Sequence, residues 1–506
     1  MGTQQTNTRE IRFLEEDLTL FCEASGDRNP LHLSEEYASR TAYGQRVVYG
    51  VLGAIACLGS LELPFDQRIS RVTADFHRPM FLDVDYRIEK SGSVDTQIVR
   101  LFDGTVLVLT LAIAHDQTIR GQLSFDPWPD LFERTEAREL SWADVQPGLE
   151  FSGRYAANFG KLGELCRRWN VIAPSFVVEA LLWSSYFIGM EFPGRHALFF
   201  RLLLDFAQAS TPQSPFHYHG VVSSLNKAVE QTKVRITLRS SELQLASGLL
   251  TAFVRPKLHP FDFRHLSPQS SPADSLKSKI ALIIGASRGL GAALAASIAL
   301  EGAHVIAISR SPVEFGAALP AHVEQRIVPQ SGDSTSIESV SALHKMIVEK
   351  FGKLDFLICN AFPPIPALRL ETNALARVQA YLKQSTDLVL VPLCVFLPLL
   401  NENRGCAVII SSSAVERPVR EWPHYVAAKS AIESFGFVAP LQYPNVSALI
   451  VRPERLLTDM TNTPMGRQKS MPPVMFARQI TKKLQSPPAS GTAEIFRGDQ
   501  EELADD

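Results

Sequence analysis

The feature that most constrains the fold is the stretch KIALIIGASRGLGAALAASIALEGAHVIAISR at residues 279–310. It runs from an apolar strand through a glycine-rich turn and an alanine-rich helix to a second apolar strand. This order predicts a β-α-β unit, which opens a parallel, doubly wound α/β sheet. KLDFLICNA (353–361) and GCAVIISSS (405–413) predict further strands of the same kind. We therefore expect a doubly wound domain over residues 279–497.

The rest of the chain is long enough to hold more domains. A single hydrophobic core rarely grows past about 300 residues, and this chain has 506. Residues 259–278 are rich in proline, serine and aspartate and lack sustained periodicity, which predicts a linker. Residues 498–506 are expected to form an acidic, disordered tail.

The N-terminal 258 residues show a different pattern, in which an apolar helix followed by alternating strands occurs twice. A helix opened by Gly50 precedes the first set of strands, and the apolar segment 174–190 precedes the second. The two halves do not repeat in sequence, so element order alone predicts two copies of one α+β fold. We place them at residues 1–128 and 129–258.

Composition limits the environment and the partners. A formal net charge of −3 gives no electrostatic footprint for nucleic acid or an anionic membrane. The six cysteines are scattered singly without metal-ligand spacing, which favours a reduced cytosol and no metal site. The apolar run 388–400 contains two prolines and is too short to span a bilayer, so a buried helix is expected. We expect a cytoplasmic protein.

An aspartate and a histidine lie five residues apart in the turn-like segment ASGDRNPLH, residues 24–32. One interpretation is structural: Asp27 caps a helix and His32 is an ordinary loop histidine. The other is chemical, because a carboxylate and an imidazole that converge on one water form a general acid–base pair.

The residues around this pair favour the chemical interpretation. The pattern resembles that of MaoC-like (R)-specific enoyl-thioester hydratases and dehydratases of the hotdog fold, and ADFHRPMFLDV (74–84) is similar to a later strand of that family. The matching residues are Phe21, Ser25, Gly26, Asp27, Asn29, Pro30, His32, Gly44, Val47, Val48, Gly50 and Leu52.

This resemblance implies a double hotdog and assigns roles within it. Asp27 and His32 would act as general base and acid across a C2–C3 double bond, and Asn29 would hold the loop. Backbone N–H groups at the helix opened by Gly50 would stabilise the enolate-like oxygen of the thioester. Tyr49 stands where the family often has histidine. Residues 129–258 lack the motif, so we interpret them as a degenerate hotdog that completes the fold and shapes the acyl pocket.

The C-terminal motifs resemble those of short-chain dehydrogenases/reductases, which have a Rossmann-type fold. Ser412 precedes Tyr425 by thirteen residues, and Tyr425 and Lys429 form Y-x-x-x-K on one helix face. The resemblance makes these three residues catalytic, and we expect the lysine to lower the tyrosine pKa. Without the other motifs, the simplest interpretation of Tyr425 and Lys429 would be two residues on the surface of a helix. The implied cofactor-binding residues are Gly285, Ser287, Arg288, Gly289, Gly291, Ser309, Arg310, Asp333, Asn360, Ala361 and Lys429.

Charge favours NADP(H) over NAD(H). The second strand ends at Ser309 and Arg310 without the carboxylate that binds a 2′-hydroxyl, and Arg288 adds a second positive charge. The alternative is that both arginines are solvated surface groups. Two positions depart from the family: Phe362 replaces a glycine beside the nicotinamide pocket, and Gln384 falls where a helix asparagine serves the proton relay.

The two resemblances together imply consecutive reactions. A β-ketoacyl thioester would be reduced with NADPH and then dehydrated, in polyketide or fatty-acid-type biosynthesis, on an acyl carrier protein or coenzyme A. Hydration and oxidation in the β-oxidation direction is one alternative. In the other alternative only one half is active and the other docks a carrier protein. The reductase family commonly dimerises through the helices around 375–400 and 425–440, so a homodimer is expected.

Overall fold

The computed structural model describes residues 9–62, 68–93, 95–116, 129–173, 175–207, 214–240, 243–257, 274–310, 319–366, 368–467 and 470–498. The chain divides into two compact units, formed by residues 1–257 and by the greater part of residues 258–506. The predicted linker lies outside the described residues except for 274–278, and the predicted tail except for residue 498.

The N-terminal unit is built on one antiparallel sheet. Its strands are β1 (Arg9–Arg12), β2 (Arg68–Phe76), β3 (Asp85–Gly92), β4 (Thr96–Asp103), β5 (Val106–Asp116), β6 (Glu150–Tyr155), β7 (Ala197–Phe206), β8 (Phe216–Asn226), β9 (Gln231–Ser240) and β10 (Leu243–Val254). They are ordered β1-β3-β4-β5-β2-β7-β10-β9-β8-β6. Five strands come from each half, and the halves meet where β2 pairs with β7.

Two apolar helices cover this sheet. The helices of the unit are α1 (Glu15–Ser25), α2 (Pro30–Leu33), α3 (Glu35–Ser39), α4 (Gly50–Leu58), α5 (Phe159–Trp169) and α6 (Ser175–Tyr186). α4 is apolar on all sides, which is typical of a fully buried helix. α6 contacts it and is buried from Phe176 to Tyr186, although it carries Glu179 and a pair of serines. A π-helical turn, Phe187–Glu191, continues α6. α4 begins at Gly50 as predicted.

The C-terminal unit is a parallel sheet that fits a Rossmann-type fold. Its strands are β11 (Ile280–Ile284), β12 (His304–Ser309), β13 (Ile327–Ser331), β14 (Phe356–Cys359), β15 (Cys406–Ile410), β16 (Ser447–Val451) and β17 (Ala493–Phe496). They are ordered β13-β12-β11-β14-β15-β16-β17. The order reverses between β11 and β14, and in such sheets ligands bind where the carboxyl ends of these two strands diverge.

Helices flank this sheet. They are α7 (Gly289–Leu300), α8 (Ala321–Glu324), α9 (Ile337–Phe351), α10 (Leu375–Glu402), α11 (Pro423–Gln442), α12 (Pro464–Arg467) and α13 (Pro473–Leu484). With the turn before it, α10 is long and apolar enough by length and composition to cross a membrane. It packs instead on β14 and β15, with Phe396 and Leu400 fully buried, as expected for a core helix.

Candidate active sites

Asp27 lies in the short loop between α1 and α2, and His32 lies in α2. α1 ends at Gly26, whose φ of 72° is left-handed, and Asn29 caps α2 by accepting the backbone N–H of Leu31 at 3.0 Å. Pro30 occupies the first position of α2, where a missing N–H costs nothing. In this motif α1 therefore ends and α2 begins within a few residues. The residue that caps α2 is Asn29, not Asp27.

Asp27 is a buried carboxyl group, with 2% of its surface exposed. Ser185 Oγ donates to Asp27 Oδ2 at 2.7 Å, and the backbone N–H of Asn29 donates to Oδ1 at 3.1 Å. Burial raises the pKa of Asp27 to about 7, although both hydrogen bonds act in the opposite direction. A carboxyl group in this range can both give and take a proton near neutral pH.

His32 is held by a backbone carbonyl and by an aromatic ring. Its Nδ1 lies 2.8 Å from the carbonyl oxygen of Val47, which can only accept, so Nδ1 carries the proton and Nε2 of the neutral ring is an acceptor. Burial lowers the pKa of His32 to about 4, which keeps the ring neutral. The ring stacks on Tyr49 at 3.8 Å, and Tyr49 Oη donates to the Asp27 carbonyl oxygen at 2.7 Å. Tyr49 therefore contacts both predicted residues.

The start of α4 offers free backbone donors. No side chain caps this helix, although the residues after Gly50 are buried. A Cβ at Gly50 would lie 2.8 Å from the Phe76 ring, so only glycine permits this packing. An uncapped helix start with free N–H groups and a positive dipole end suits an oxygen that gains negative charge.

In the C-terminal unit, the glycine turn follows β11 and leads into α7. Gly285 has a φ of 84°, and a Cβ there would lie 2.6 Å from Ala361 Cα. A Cβ at Gly291 would lie 2.0 Å from the Gly285 carbonyl oxygen, which accepts Asn360 Nδ2 at 2.7 Å. Gly289 opens α7, which no side chain caps. The tight, glycine-dependent packing of this turn and the uncapped start of α7 fit the pyrophosphate of a dinucleotide.

The predicted NADP(H) residues are only partly free to bind a phosphate. Arg288 Nε lies 2.9 Å from Asp459 Oδ2, so a counter-ion shares its charge, and its role at a 2′-phosphate stays a prediction. Arg310 is exposed directly after β12. Hydrogen bonds from Thr335 and the charge of Arg310 hold the pKa of Asp333 below its ordinary value. Arg310 is thus the stronger candidate for a 2′-phosphate.

The structure brings Ser412, Tyr425 and Lys429 together. Lys429 is 3% exposed, its Nζ donates to the Ile410 carbonyl oxygen at 2.8 Å, and burial lowers its pKa to about 7. Burial also raises the pKa of Tyr425, against the effect of its hydrogen bond with Ser412. The prediction that Lys429 lowers the tyrosine pKa is therefore wrong for this arrangement, because desolvation of the phenolate is the larger effect.

Phe362 covers Lys429. Its ring centroid lies 3.6 Å from Lys429 Nζ, and its ring meets Tyr425 edge-on at 5.5 Å. An ammonium over an aromatic face is attracted by the ring quadrupole. Phe362 thus lies against both residues of the Y-x-x-x-K pair.

Gln384 does not face this site, because its side chain is exposed. The next residue of α10, Ser385, is fully buried, as is His424 beside Tyr425. The ring of Tyr381 meets His424 edge-on at 4.4 Å. The predicted relay position, Gln384, therefore places no amide in this site.

Two residues of the N-terminal site were not predicted. Ser185 and Gly189 come from the second half, whose expected role was to complete the fold. A serine pair, Ser184 and Ser185, within an otherwise apolar helix was the available signal. Nothing in the sequence marked Gly189.

Comparison with known proteins identifies a family for a part of each unit. Residues 279–468 match the family model for short chain dehydrogenase, and residues 1–100 match that for a MaoC like domain. An uncharacterized oxidoreductase of Schizosaccharomyces pombe is 28% identical over 187 residues, covering 37% of this chain and 72% of that protein. The fatty acyl-CoA reductase of Acinetobacter baylyi is 30% identical over 172 residues, covering 32% of this chain and 56% of that protein.

Solved structures resemble less than half of the chain. The KRED1-Pglu enzyme is 24% identical and covers 43% of this chain and 100% of its own, with a TM-score of 0.38. An alcohol dehydrogenase from the archaeon Thermococcus sibiricus, complexed with 5-hydroxy-NADP, is 23% identical and covers 44% of this chain and 96% of its own, with a TM-score of 0.37. The family matches lead to one conclusion: the chain joins a MaoC like domain at residues 1–100 to a short chain dehydrogenase domain at residues 279–468.

Proposed function

We propose that the protein is a bifunctional β-ketoacyl-thioester reductase and β-hydroxyacyl-thioester dehydratase that uses NADP(H). The N-terminal unit would be a double hotdog, with the second half lacking a motif of its own. The observation that carries the proposal is that each unit brings together groups that can transfer a proton. Buried Asp27 and partly buried His32 lie in one unit, and partly buried Tyr425 and Ser412 lie with buried Lys429 in the other.

For reduction, the chain binds the cofactor and places a proton. When bound, NADP(H) supplies the hydride. N–H groups at the start of α7 hold the pyrophosphate, Arg310 binds the 2′-phosphate, and Lys429 contacts the nicotinamide ribose. The Ser412 hydroxyl holds the substrate carbonyl oxygen, and the Tyr425 hydroxyl gives it a proton. The raised pKa of Tyr425 favours this direction, because the phenol is protonated at neutral pH.

For dehydration, the two buried groups have complementary protonation states. Nε2 of neutral His32 accepts the proton from C2, and Asp27, which is partly protonated near neutral pH, gives its proton to the leaving C3 hydroxyl. N–H groups at the start of α4 stabilise the thioester oxygen meanwhile. Hydration is the reverse and starts with the shared proton on Nε2 of His32 instead of on Asp27. Ionised Asp27 takes a proton from water, whose oxygen bonds to C3, and His32 gives its Nε2 proton to C2.

The acyl group would arrive on the phosphopantetheine arm of an acyl carrier protein or of coenzyme A. We propose a cytoplasmic homodimer, without nucleic acid or membrane partners. Large apolar side chains exposed on α10 and α11 support the pairing: Leu390, Phe437, Val438 and Leu441.

One experiment tests the function. Incubation with NADPH and a short β-ketoacyl thioester should give hydroxyacyl and then enoyl products by mass spectrometry. Asp27→Asn should stop at the hydroxyacyl thioester, whereas Tyr425→Phe should fail to reduce but still dehydrate added hydroxyacyl thioester. A variant that leaves its half-reaction unchanged would remove that residue from the mechanism.

A second function is favoured by one contact. Because Phe362 covers Lys429, the reductase half would be inactive and serve to dock a carrier protein, leaving only the hydro-lyase. This alternative predicts no NADPH consumption with any β-ketoacyl thioester, together with full hydration of enoyl thioesters. Running the pair in the β-oxidation direction instead predicts faster turnover with NAD than with NADP.

A further inference from the structure

We propose that the second half of the N-terminal unit is part of the hydro-lyase centre, because Ser185 and Gly189 position the Asp27 carboxyl group. Both are positioning residues that act through Asp27, and the inference rests on the proposed role of Asp27. The half without a motif of its own would therefore determine the protonation and direction of the catalytic carboxyl group in the other half.

The first contact is a buried hydrogen bond. Ser185 lies on α6 with 6% of its surface exposed, and its Oγ donates to Asp27 Oδ2 at 2.7 Å. A hydrogen bond to the ionised form of a carboxyl group favours that form. Ser185 thus partly offsets the burial that raises the pKa of Asp27.

The second contact requires a missing side chain. Gly189 lies in the π-helical turn, and a Cβ there would stand 2.3 Å from Asp27 Oδ1 and 2.6 Å from Oδ2. No real side chain tolerates those distances, so the carboxyl group occupies space that only glycine leaves open. π-turns of this kind often occur at functional sites.

The same turn also holds the loop of Asp27. Asn29 Nδ2 donates to the carbonyl oxygen of Gly189 at 3.1 Å and to that of Gly194 at 3.0 Å. The catalytic loop and the π-turn are therefore joined by the Asn29 amide as well as by Asp27. The second half therefore holds this short loop at two points, the Asp27 carboxyl group and the Asn29 amide, and so orients the carboxyl group.

No cation neutralises Asp27 among the described residues. The titratable groups that face it are Cys22 of α1, Tyr49 before α4 and Tyr155 of β6; burial raises the pKa of each, and the charge of Asp27 raises it further. Arg28 follows Asp27 in the loop, and His32 lies in α2. Burial is the largest effect on the pKa of Asp27, and the hydrogen bonds from Ser185 and from the Asn29 backbone N–H oppose it.

The test compares pH profiles of enoyl-thioester hydration in the full-length protein. Hydration needs ionised Asp27, so Ser185→Ala should move the acidic limb upward by about one pH unit and lower the rate at pH 6 roughly tenfold, with little change in KM. Ser185→Thr, which keeps the hydroxyl, should restore the profile. Ser184→Ala is the matched control, because Ser184 Oγ donates to the Leu181 carbonyl oxygen of its own helix at 2.7 Å.

Gly189→Ala gives a second readout. The added methyl group would displace the carboxyl group, so kcat should fall at least about tenfold while Gly163→Ala, at an open helical position of α5, leaves kcat unchanged. Superimposed profiles for folded Ser185→Ala and wild type, or an unchanged kcat for Gly189→Ala, would overturn the inference.

A third measurement separates this inference from the proposed function. The carboxyl band of Asp27, obtained as the infrared difference between wild type and Asp27→Asn, titrates whether or not the protein turns over substrate. Its midpoint should rise in Ser185→Ala and stay in place in Ser184→Ala. A wild type that hydrates no enoyl thioester would refute the proposed function alone, whereas an unmoved midpoint would refute the role of Ser185.

Discussion

Asp27 and Lys429 are ionisable groups whose pKa values are shifted by burial in opposite directions, toward the same pH. The carboxyl pKa is raised to about 7 and the ammonium pKa is lowered to about 7. Each can therefore exchange a proton near neutrality. The spacing of Tyr425 and Lys429 predicted their proximity correctly, but a helical spacing contains no measure of desolvation, so the direction of the tyrosine pKa could not be read from the sequence.

The buried carboxyl group makes stability depend on pH. The Asp27 pKa rises from 3.8 to about 7 on folding, so the folded state prefers the protonated form, and the cost of ionising it grows from pH 4 and is complete above pH 7. Asp27→Asn should therefore raise the Tm of the N-terminal unit by at least about 3 °C at pH 8, and by less at pH 4.5. Calorimetry at both pH values measures this, with exposed Asp130→Asn as the control. Equal changes at both pH values would contradict it.

Phe362 should oppose cofactor binding, because its ring occupies one side of Lys429 at 3.6 Å. In the proposed complex the nicotinamide ribose contacts the same Lys429 ammonium group, so the Phe362 ring has to move when the cofactor binds. Phe362→Ala should lower the Kd for NADPH several-fold in a fluorescence titration. Phe362→Leu, which keeps most of the bulk, should bind as weakly as wild type. An unchanged Kd in Phe362→Ala would mean that the ring does not hinder binding.

At the scale of elements, buried segments were predictable and half-exposed ones were not. α4, α6, β7 and four strands of the parallel sheet, β11, β12, β14 and β15, follow from continuous or alternating apolar patterns. β3 (DYRIEKSG) was not predicted, because only Tyr86 and Ile88 mark its buried face and polar residues make up the rest of the strand. α1 was not predicted as a helix, because only Leu18, Phe21 and Ala24 mark its apolar face.

Contacts between elements that are distant along the chain could not be predicted from the sequence either. Asp27, Asn29 and His32 belong to one short motif, whereas Ser185 lies 158 residues from Asp27 and reaches it only through the packing of α6. A motif records residues that are neighbours along the chain. The residues that orient them belong to the tertiary structure, and no local pattern identifies them.

The junction of β2 with β7 should be a critical element of the N-terminal unit. Leu204 lies opposite Val72 and is fully buried. Leu204→Ala should lower the free energy of unfolding by about 2–4 kcal/mol, because it removes buried apolar surface and leaves a cavity. Leu203→Ala, the same change one position along on the other face, should cost less. Denaturant unfolding followed by tryptophan fluorescence measures both, and equal costs would contradict the prediction.

At the scale of the molecule, the groups proposed for each half-reaction lie within one unit. Asp27, Ser185 and His32 all belong to residues 1–257, and Ser412, Tyr425 and Lys429 all belong to the other unit. Neither proposed half-reaction needs a side chain from the unit that performs the other. The hydroxyacyl thioester is the product of one centre and the substrate of the other, so it is the species that must travel.

Two inactive variants should therefore complement each other. A mixture of Asp27→Asn and Tyr425→Phe, given NADPH and a β-ketoacyl-coenzyme A, should form the enoyl product because the hydroxyacyl intermediate released by one protein is dehydrated by the other. Mass spectrometry should show this intermediate accumulating before the enoyl product, with a lag that shortens as protein concentration rises. The double variant Asp27→Asn/Tyr425→Phe is the control and should form neither product. A mixture that stops at the hydroxyacyl thioester would mean that the intermediate passes only between centres of the same molecule.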